Sequence, residues 1–259
     1  MRNFINQKIT YYLVMAMSLI WASSANAQPY VPDTREFPGS APLSFTSNPL
    51  LDLSDGGAIE FWVAADWSVS PGYHPTLLNR GVDPAPLYRI AISASREELL
   101  LQFGSKHGRV PFDFSDGQTH HVALLDFDDE VMVMIDGWLA GGVAMSIEPG
   151  PPAPLIVGAN ADGSAPFIGA ISALRFWHSP MAPETIAAYA LKDPTDPSAP
   201  HPDLAQLAAY SDFELGELIL ADHLIVPNMS DAEVLAALGE AELKALEDEI
   251  GVTEEEDNE

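Results

Sequence analysis

The 259-residue chain contains no cysteine and few basic residues. Without cysteine it forms neither disulfides nor zinc–thiolate sites, and a catalytic thiol is excluded. Lysine and arginine number 11 against 38 acidic residues, which gives a formal net charge of −27. This charge repels nucleic acid and anionic membranes, so we expect no nucleic-acid partner. It favours cations, basic partners or simply solubility, and an acidic surface adapted to salt is the plainest explanation.

Long apolar runs are also missing, except near the N-terminus. Residues 11–20 form a short apolar run after Arg2 and Lys8, and Ala25-Asn26-Ala27 places small residues at a cleavage site. This pattern is typical of a secretory signal peptide over residues 1–27. The run is shorter than the roughly 20 residues of a bilayer span, and an uncleaved signal anchor is the alternative. We expect an exported protein, secreted or located in the periplasm or at the cell surface, with no membrane span after cleavage.

Short β-forming runs separated by turn residues dominate residues 39–190. The predicted strands cover residues 43–46, 58–65, 87–93, 99–103, 121–127, 131–136, 155–158 and 167–177. No long helical pattern separates them, so the crossover helices of a parallel sheet are missing. The pattern predicts an all-β fold, an antiparallel two-sheet sandwich.

The segments after this body differ in composition. Pro183 and Glu184 suit the first turn of a short helix over residues 181–191. A Pro-rich spacer follows at 193–202, and residues 207–213 predict a strand that returns to the N-terminal strand. We therefore place one domain at residues 28–228. Residues 229–259 predict an acidic helical tail with a disordered end, because a capping-box pattern precedes spaced leucines and the last residues are nearly all acidic.

Six short motifs occur in a fixed order through the body. They are Glu-Phe-Trp-Val at 60–63, Asp-Gly-Gln-Thr-His-His-Val-Ala at 116–123, Ile-Asp-Gly at 135–137, Ile-Val-Gly at 156–158, Phe-Ile-Gly-Ala-Ile at 167–171 and Leu-Arg-Phe-Trp at 174–177. Together they resemble the laminin-G-like or concanavalin A-like lectin/glucanase superfamily. The resemblance implies a jelly-roll sandwich that usually binds a ligand and often catalyses nothing.

The resemblance also implies that His120 and His121 are structural. Strand alternation directs them to opposite faces, so they cannot both bind one metal without distortion. Thr119 stands where tryptophan is usual in the family.

Acidic residues lack the spacing of a glycosidase. Related hydrolases carry a Glu-x-Asp-x-x-Glu run or a similar one on a central strand, and this chain has none. The nearest groups, residues 126–130 and Glu214-x-x-Glu217, are predicted on a turn and in an irregular segment. No serine nucleophile motif or phosphate loop is present. We therefore expect no enzymatic activity.

Two sets of residues are candidates for binding. Asn160, Asp162, Asp128 and Asp129 offer the oxygen ligands that Ca²⁺ prefers, although ordinary turn formation is the simpler explanation. No cofactor other than Ca²⁺ is indicated. Trp67 and Tyr73 lie in a predicted loop and could stack on a sugar, whereas we expect Trp62, Trp138 and Trp177 in the core.

These observations predict an exported, non-catalytic module that recognises a glycan or an extracellular protein, with Ca²⁺ as an assisting ion. Two alternatives remain open. One is a structural or assembly subunit that docks through its C-terminal helical tail. The other is a divergent glycoside hydrolase, which would require two facing carboxylates in a groove.

Overall fold

A computed structural model describes residues 34–54, 56–127, 129–190, 201–213 and 217–220. The predicted signal peptide, most of the Pro-rich spacer and the acidic tail lie outside these residues, so the proposed domain limits stay predictions. In the part that the structure describes, no helix is long and apolar enough to cross a membrane.

Fourteen strands form two antiparallel sheets in the described residues. The eight-stranded sheet has the order β10-β9-β8-β3-β12-β13-β14, and β1 also pairs with β12. Its strands are β1 (Thr34–Pro38), β3 (Gly57–Ala65), β8 (His120–Phe127), β9 (Glu130–Ile135), β10 (Trp138–Val143), β12 (Ile168–Trp177), β13 (Leu207–Asp212) and β14 (Glu217–Leu220). The six-stranded sheet has the order β2-β11-β4-β5-β6-β7. Its strands are β2 (Leu43–Phe45), β4 (Thr76–Arg80), β5 (Tyr88–Ile92), β6 (Glu98–Phe103), β7 (Lys106–Pro111) and β11 (Leu155–Val157).

The two sheets confirm the predicted antiparallel jelly-roll sandwich. All nine predicted strands, including the one at 207–213, are present within a residue or two, and the predicted helix is α1 (Pro183–Tyr189). Five strands were not predicted, namely β1, β4, β7, β10 and β14. Three of them lack the sequence features of a typical strand. β4 is buried on both faces, so its residues do not alternate between apolar and polar, β10 contains two glycines, and β1 ends in proline.

The main core lies between the sheets and follows strand alternation. In β3, Ile59, Phe61 and Val63 point into this core, whereas Glu60 and Trp62 lie on the outer face of the eight-stranded sheet. Burying each large apolar side chain stabilises the fold by about 1.5–3 kcal/mol relative to exposure. Alternation therefore decides which residues of each strand hold the sandwich together.

A second, smaller core covers part of the outer face of the eight-stranded sheet. Ile186 of α1 packs there with Trp177, Ala123 and Met134. Trp177 is fully buried, as predicted, and Trp62 is partly buried. The prediction for Trp138 was wrong: its exposed fraction is 60%. Trp138 follows a tight turn at the start of β10, an edge strand, so no neighbouring strand covers it.

The returning strand lies close to the N-terminal strand but does not pair with it. β13 pairs with β12 at residues 175–177, while β1 pairs with β12 at residues 168–172. Both lie on the side of β12 that faces away from β3. β12 therefore connects the two ends of the domain.

The strand registers gather five connections at one end of the sandwich. Ala65 at the end of β3 pairs with Gly169 near the start of β12, and Val63 pairs with His120 at the start of β8. The loops and turns that meet here are residues 66–75, 93–97, 112–119, 136–137 and 158–167, which we call the loop rim. The β8–β9 turn around Asp129 lies at the opposite end.

Candidate functional site

The loop rim contains three of the four non-glycine residues that have a positive φ in the described chain. They are Arg96 (φ 71°), Asp136 (53°) and Ala165 (50°), and Ala173 in β12 is the fourth. Asp136 precedes Gly137 in a hairpin turn that favours this conformation. Arg96 also lies in a hairpin turn, between β5 and β6, so Ala165 is the rim residue whose left-handed backbone no hairpin turn explains. Such backbone costs of order 1–3 kcal/mol and is concentrated at functional sites, which marks the rim as a candidate site.

A shallow depression opens on this rim. Its enclosed space is only about 10 Å³, room for roughly one water molecule. Its walls are mostly apolar and carry one carboxylate. The lining residues are Asp66, Trp67, Val69, Pro71, Pro75, Pro166 and Ile168. Enclosed small-molecule pockets are far larger, about 300–1,000 Å³, so a ligand could only lie across this surface and could not be enclosed by it.

Trp67 is fixed as one wall of the depression. Its indole Nε1 donates a hydrogen bond of 2.7 Å to the Phe114 carbonyl oxygen, 47 residues away in sequence. The Arg96 guanidinium lies 4.9 Å from the centre of the indole ring. Both contacts hold the ring in one orientation while part of it stays exposed. Trp67 also packs against the main core, so only the remaining exposed part of the ring is available to a ligand.

Tyr73 supports the same depression from the side. Its hydroxyl donates a hydrogen bond of 3.1 Å to the carbonyl oxygen of Pro166, one of the lining residues. Val69, on the same loop, has an exposed fraction of 64%. The structure thus places both predicted aromatic residues at one rim, with Trp67 in the wall and Tyr73 anchoring the loop.

Carboxylates at the rim are held in their charged form. A hydrogen bond of 2.8 Å from the Ser68 backbone nitrogen, together with the Ser68 hydroxyl, lowers the pKa of Asp66. Similar local hydrogen bonds lower the pKa values of Asp113, Asp116 and Asp162. An ionised carboxylate only accepts hydrogen bonds, so Asp66 presents an acceptor to ligand hydroxyls.

The four predicted calcium ligands do not share one site. Asn160 and Asp162 lie on the loop rim, Asp129 lies at the opposite end, and Asp128 lies outside the described residues. Asn160 Oδ1 accepts a hydrogen bond of 2.8 Å from the Thr76 hydroxyl. Asp162 Oδ1 accepts from the Ser164 backbone nitrogen at 2.9 Å and its hydroxyl at 2.6 Å. Nowhere among the described residues do three or more acidic or histidine side chains form a group that could hold a metal.

A buried network of charged side chains lies on the outer face of the eight-stranded sheet, and it was not predicted from the sequence. Glu60 of β3 accepts hydrogen bonds at Oε1 from Arg175 Nη1 (3.1 Å) and Trp177 Nε1 (3.0 Å), and its Oε2 lies 3.0 Å from His121 Nε2. Burial of Glu60 opposes its charge, but Arg175 and His121 outweigh it and lower its pKa to about 2. The Glu60 carboxylate only accepts, so His121 donates through Nε2. With 2% exposure, Glu60 binds strands together rather than substrate.

His120 occupies a different environment at the loop rim. Its Nδ1 lies 2.8 Å from Asp136 Oδ2 and its Nε2 lies 3.1 Å from Asp116 Oδ1. The Phe112 and Phe114 rings pack edge-on against it, with ring centres 4.8 and 5.8 Å away. The adjacent histidines therefore point to opposite faces, as strand alternation predicts.

Comparisons with known proteins identify the fold family. Residues 37–187, more than half of the chain, match the family model Laminin_G_3, described as concanavalin A-like lectin/glucanases superfamily. The chain belongs to this superfamily. No curated protein sequence matches it.

Solved structures show the same fold at low sequence identity. The Ruminococcus gnavus IT-sialidase CBM40 has a TM-score of 0.52 and 12% identity over 62% of this chain and 97% of its own. The CBM40 structure bound to alpha2,3 sialyllactose has a TM-score of 0.51 and 12% identity, over 60% of this chain and 95% of its own. Domain 4 of a GH43 extracellular arabinanase from Geobacillus stearothermophilus, in complex with arabinotriose, has a TM-score of 0.50 and 18% identity, over 65% of this chain and 81% of its own. At these identities the similarity shows the superfamily fold alone.

The superfamily includes glucanases, so the acidic residues bear on catalysis. Asp126 belongs both to the predicted strand 121–127 and to the acidic group 126–130 predicted on a turn. It lies buried in β8, which confirms the strand, and its Oδ2 accepts a 3.0 Å hydrogen bond from the Ile147 backbone nitrogen. Glu217 opens β14 instead of lying in an irregular segment, and Glu214 lies outside the described residues. Asp126 and Glu60, the buried acids of the central strands, therefore have structural partners.

Proposed function

We propose that this chain is a non-catalytic carbohydrate-binding module whose binding surface is the depression beside Trp67. A fixed, partly exposed indole next to proline rings and a carboxylate is the observation that carries the proposal. The apolar face of a sugar ring packs on the indole, and its hydroxyls donate to Asp66. The ligand would lie across this surface with one sugar face, because the enclosed space is too small to hold a sugar ring.

The structural neighbours support a carbohydrate ligand. One is a CBM40 whose structure holds sialyllactose, and another is an arabinanase domain whose structure holds arabinotriose. These ligands differ in charge and linkage, so they favour the ligand class and leave the sugar open. A role outside the cytoplasm, supported by the signal-peptide pattern, is part of the same proposal.

A glycan array probed with residues 28–259 tests the proposal. We expect binding to at least one glycan family, and the Trp67→Ala variant should weaken the best interaction about tenfold or more, because a central aromatic anchor dominates such contacts. Trp138→Ala is the matched control, since this exposed tryptophan does not line the depression. A parallel array with a chelator tests for assistance by Ca²⁺.

Three outcomes would contradict parts of this proposal. Full binding by the Trp67→Ala variant would exclude the depression as the site. Loss of binding by the Trp138→Ala variant instead would move the site to β10. The absence of any glycan ligand, with and without chelator, would favour recognition of a protein.

A further inference from the structure

His120 lies between two carboxylates from two different segments of the loop rim. Asp116 belongs to the loop before β8, and Asp136 belongs to the turn after β9. The His120 side chain is 9% exposed, whereas the Asp116 and Asp136 side chains are 46% and 43% exposed. The imidazole is therefore the buried centre of a bridge whose two ends reach solvent.

Both ring nitrogens of His120 must donate for this bridge to be complete. Each nitrogen lies within 3.1 Å of a carboxylate oxygen, and an ionised carboxylate only accepts. A neutral imidazole carries one N–H, so it would donate to one carboxylate and turn a lone pair toward the other. The geometry is that of an imidazolium.

The charged groups around His120 favour that form. Asp113 and Asp116 act on it from the preceding loop, and Asp136 acts from the turn. Partial burial opposes the charge, but the hydrogen bonds to Asp136 and Asp116 outweigh it and raise the pKa of His120. Its titration therefore lies above the ordinary value of a histidine.

The same loop holds the wall of the depression. The Phe114 ring packs on His120, and the Phe114 carbonyl oxygen accepts the hydrogen bond from Trp67 Nε1. The Phe114 backbone nitrogen donates to the carbonyl oxygen of Arg96, whose guanidinium lies over the Trp67 ring. A change in the position of residues 112–119 thus reaches Trp67 through two contacts.

We propose that His120 is a pH-sensitive latch that sets the position of Trp67 at the loop rim. While His120 is protonated, it ties the 112–119 loop to the 136–137 turn and keeps the Phe114 carbonyl oxygen on the indole. On deprotonation one of the two bridges is lost. The Asp116 bridge is the longer one, and Asp136 is also held by the His121 backbone nitrogen at 2.9 Å, so the loop side is released.

The consequence for ligand binding rests on the proposed function, because it assumes that Trp67 contacts the glycan. The latch itself does not require a ligand. Its test can therefore fail or succeed independently of any result from the glycan array.

NMR of the ligand-free protein between pH 5.5 and 9 tests the latch. The side-chain N–H signals of the five tryptophans are recorded together with the imidazole C–H signals of the histidines, and Trp67→Phe and His120→Gln assign the two residues. We expect the Trp67 N–H signal to shift with the same midpoint as His120. Its protection against hydrogen exchange should fall about fivefold above that midpoint, the effect of one lost hydrogen bond.

Variants separate the latch from a general pH effect. In His120→Gln the Trp67 signal should no longer follow pH, whereas His107→Gln, which alters an exposed histidine of β7, should leave the titration unchanged. In Asp116→Ala, which removes the acceptor and retains the imidazole and Asp136, Trp67 should show the low protection at every pH. The latch is wrong if Trp67 stays unchanged while His120 titrates, or if the Trp67 midpoint survives in His120→Gln.

Discussion

His120 and His121 are neighbours in sequence, yet they belong to two regions with opposite physical properties. His121 is 1% exposed and joins Glu60, Arg175 and Trp177 in a closed network on the outer face of the eight-stranded sheet. His120 joins two half-exposed carboxylates on the loop rim. The first arrangement ties strands together and excludes ligand, while the second ties loops together and leaves solvent access.

The difference shows that two residues adjacent in sequence can have different roles, one in the structural core and one at a candidate binding surface. Strand alternation sends the two imidazoles to opposite faces, and the surroundings then decide what each can do. Arg175 and His121 hold the pKa of Glu60 at about 2, far from neutral pH, whereas the rim histidine His120 has its pKa raised from an ordinary value of 6.5.

The largest effect should come from breaking the buried network. Replacing Glu60 with Gln removes the carboxylate that pairs with the buried Arg175 and should lower the free energy of unfolding by about 3–5 kcal/mol. Urea denaturation at pH 7 measures this. The control is Glu98→Gln, which breaks the surface pair with Arg109 and should cost about 0–1 kcal/mol. Equal losses in the two variants would mean that the network is no stronger than a surface pair.

Acid should act on the same network in the wild-type protein. The folded pKa of Glu60, about 2, lies below its ordinary value of 4.5. Its contribution is therefore present above about pH 4.5 and is lost as the pH falls toward 2. Urea denaturation at several pH values should show this decline, and it should be weaker in Glu60→Gln. The same slope in both proteins would assign the decline to other carboxylates.

A smaller effect of opposite pH dependence should come from the rim. The pKa of His120 is raised above 6.5, so its stabilising contribution is present below pH 6.5 and is lost as the pH rises through the folded pKa. His120→Gln should therefore lower the free energy of unfolding by about 1 kcal/mol at pH 6, a small effect because solvent screens both carboxylates. At pH 9 the loss should be smaller, because the wild-type imidazole is then less protonated. Thermal unfolding at the two pH values measures the difference. A larger cost at pH 9 would contradict the imidazolium bridge.

Much of the fold was predictable from particular residues. The run around Ile59, Phe61 and Val63 predicts β3 and its inward face, and Pro183 marks the start of α1. The glycine-containing β10 and the non-alternating β4 were missed because their propensity is weak and pairing with neighbouring strands decides them.

The site was predictable only in part. The turn composition around Trp67 and Tyr73 indicates exposed loop aromatics, and both lie on the loop rim. The sequence did not indicate the structural role of Glu60, because a single acidic residue within an apolar strand is expected to face solvent until its partners are known. Those partners lie 61 to 117 residues away.

The sequence by itself determined most of the short antiparallel strands, the faces of the residues in strands that alternate, and the opposite orientations of the paired histidines. All of these depend on backbone geometry over a few residues. Only the tertiary structure decided that Trp67, Phe114 and His120 meet at one rim, that Asp129 lies at the other end, and that Trp138 is exposed. These outcomes depend on strand register and sheet order, which bring together residues far apart in the chain.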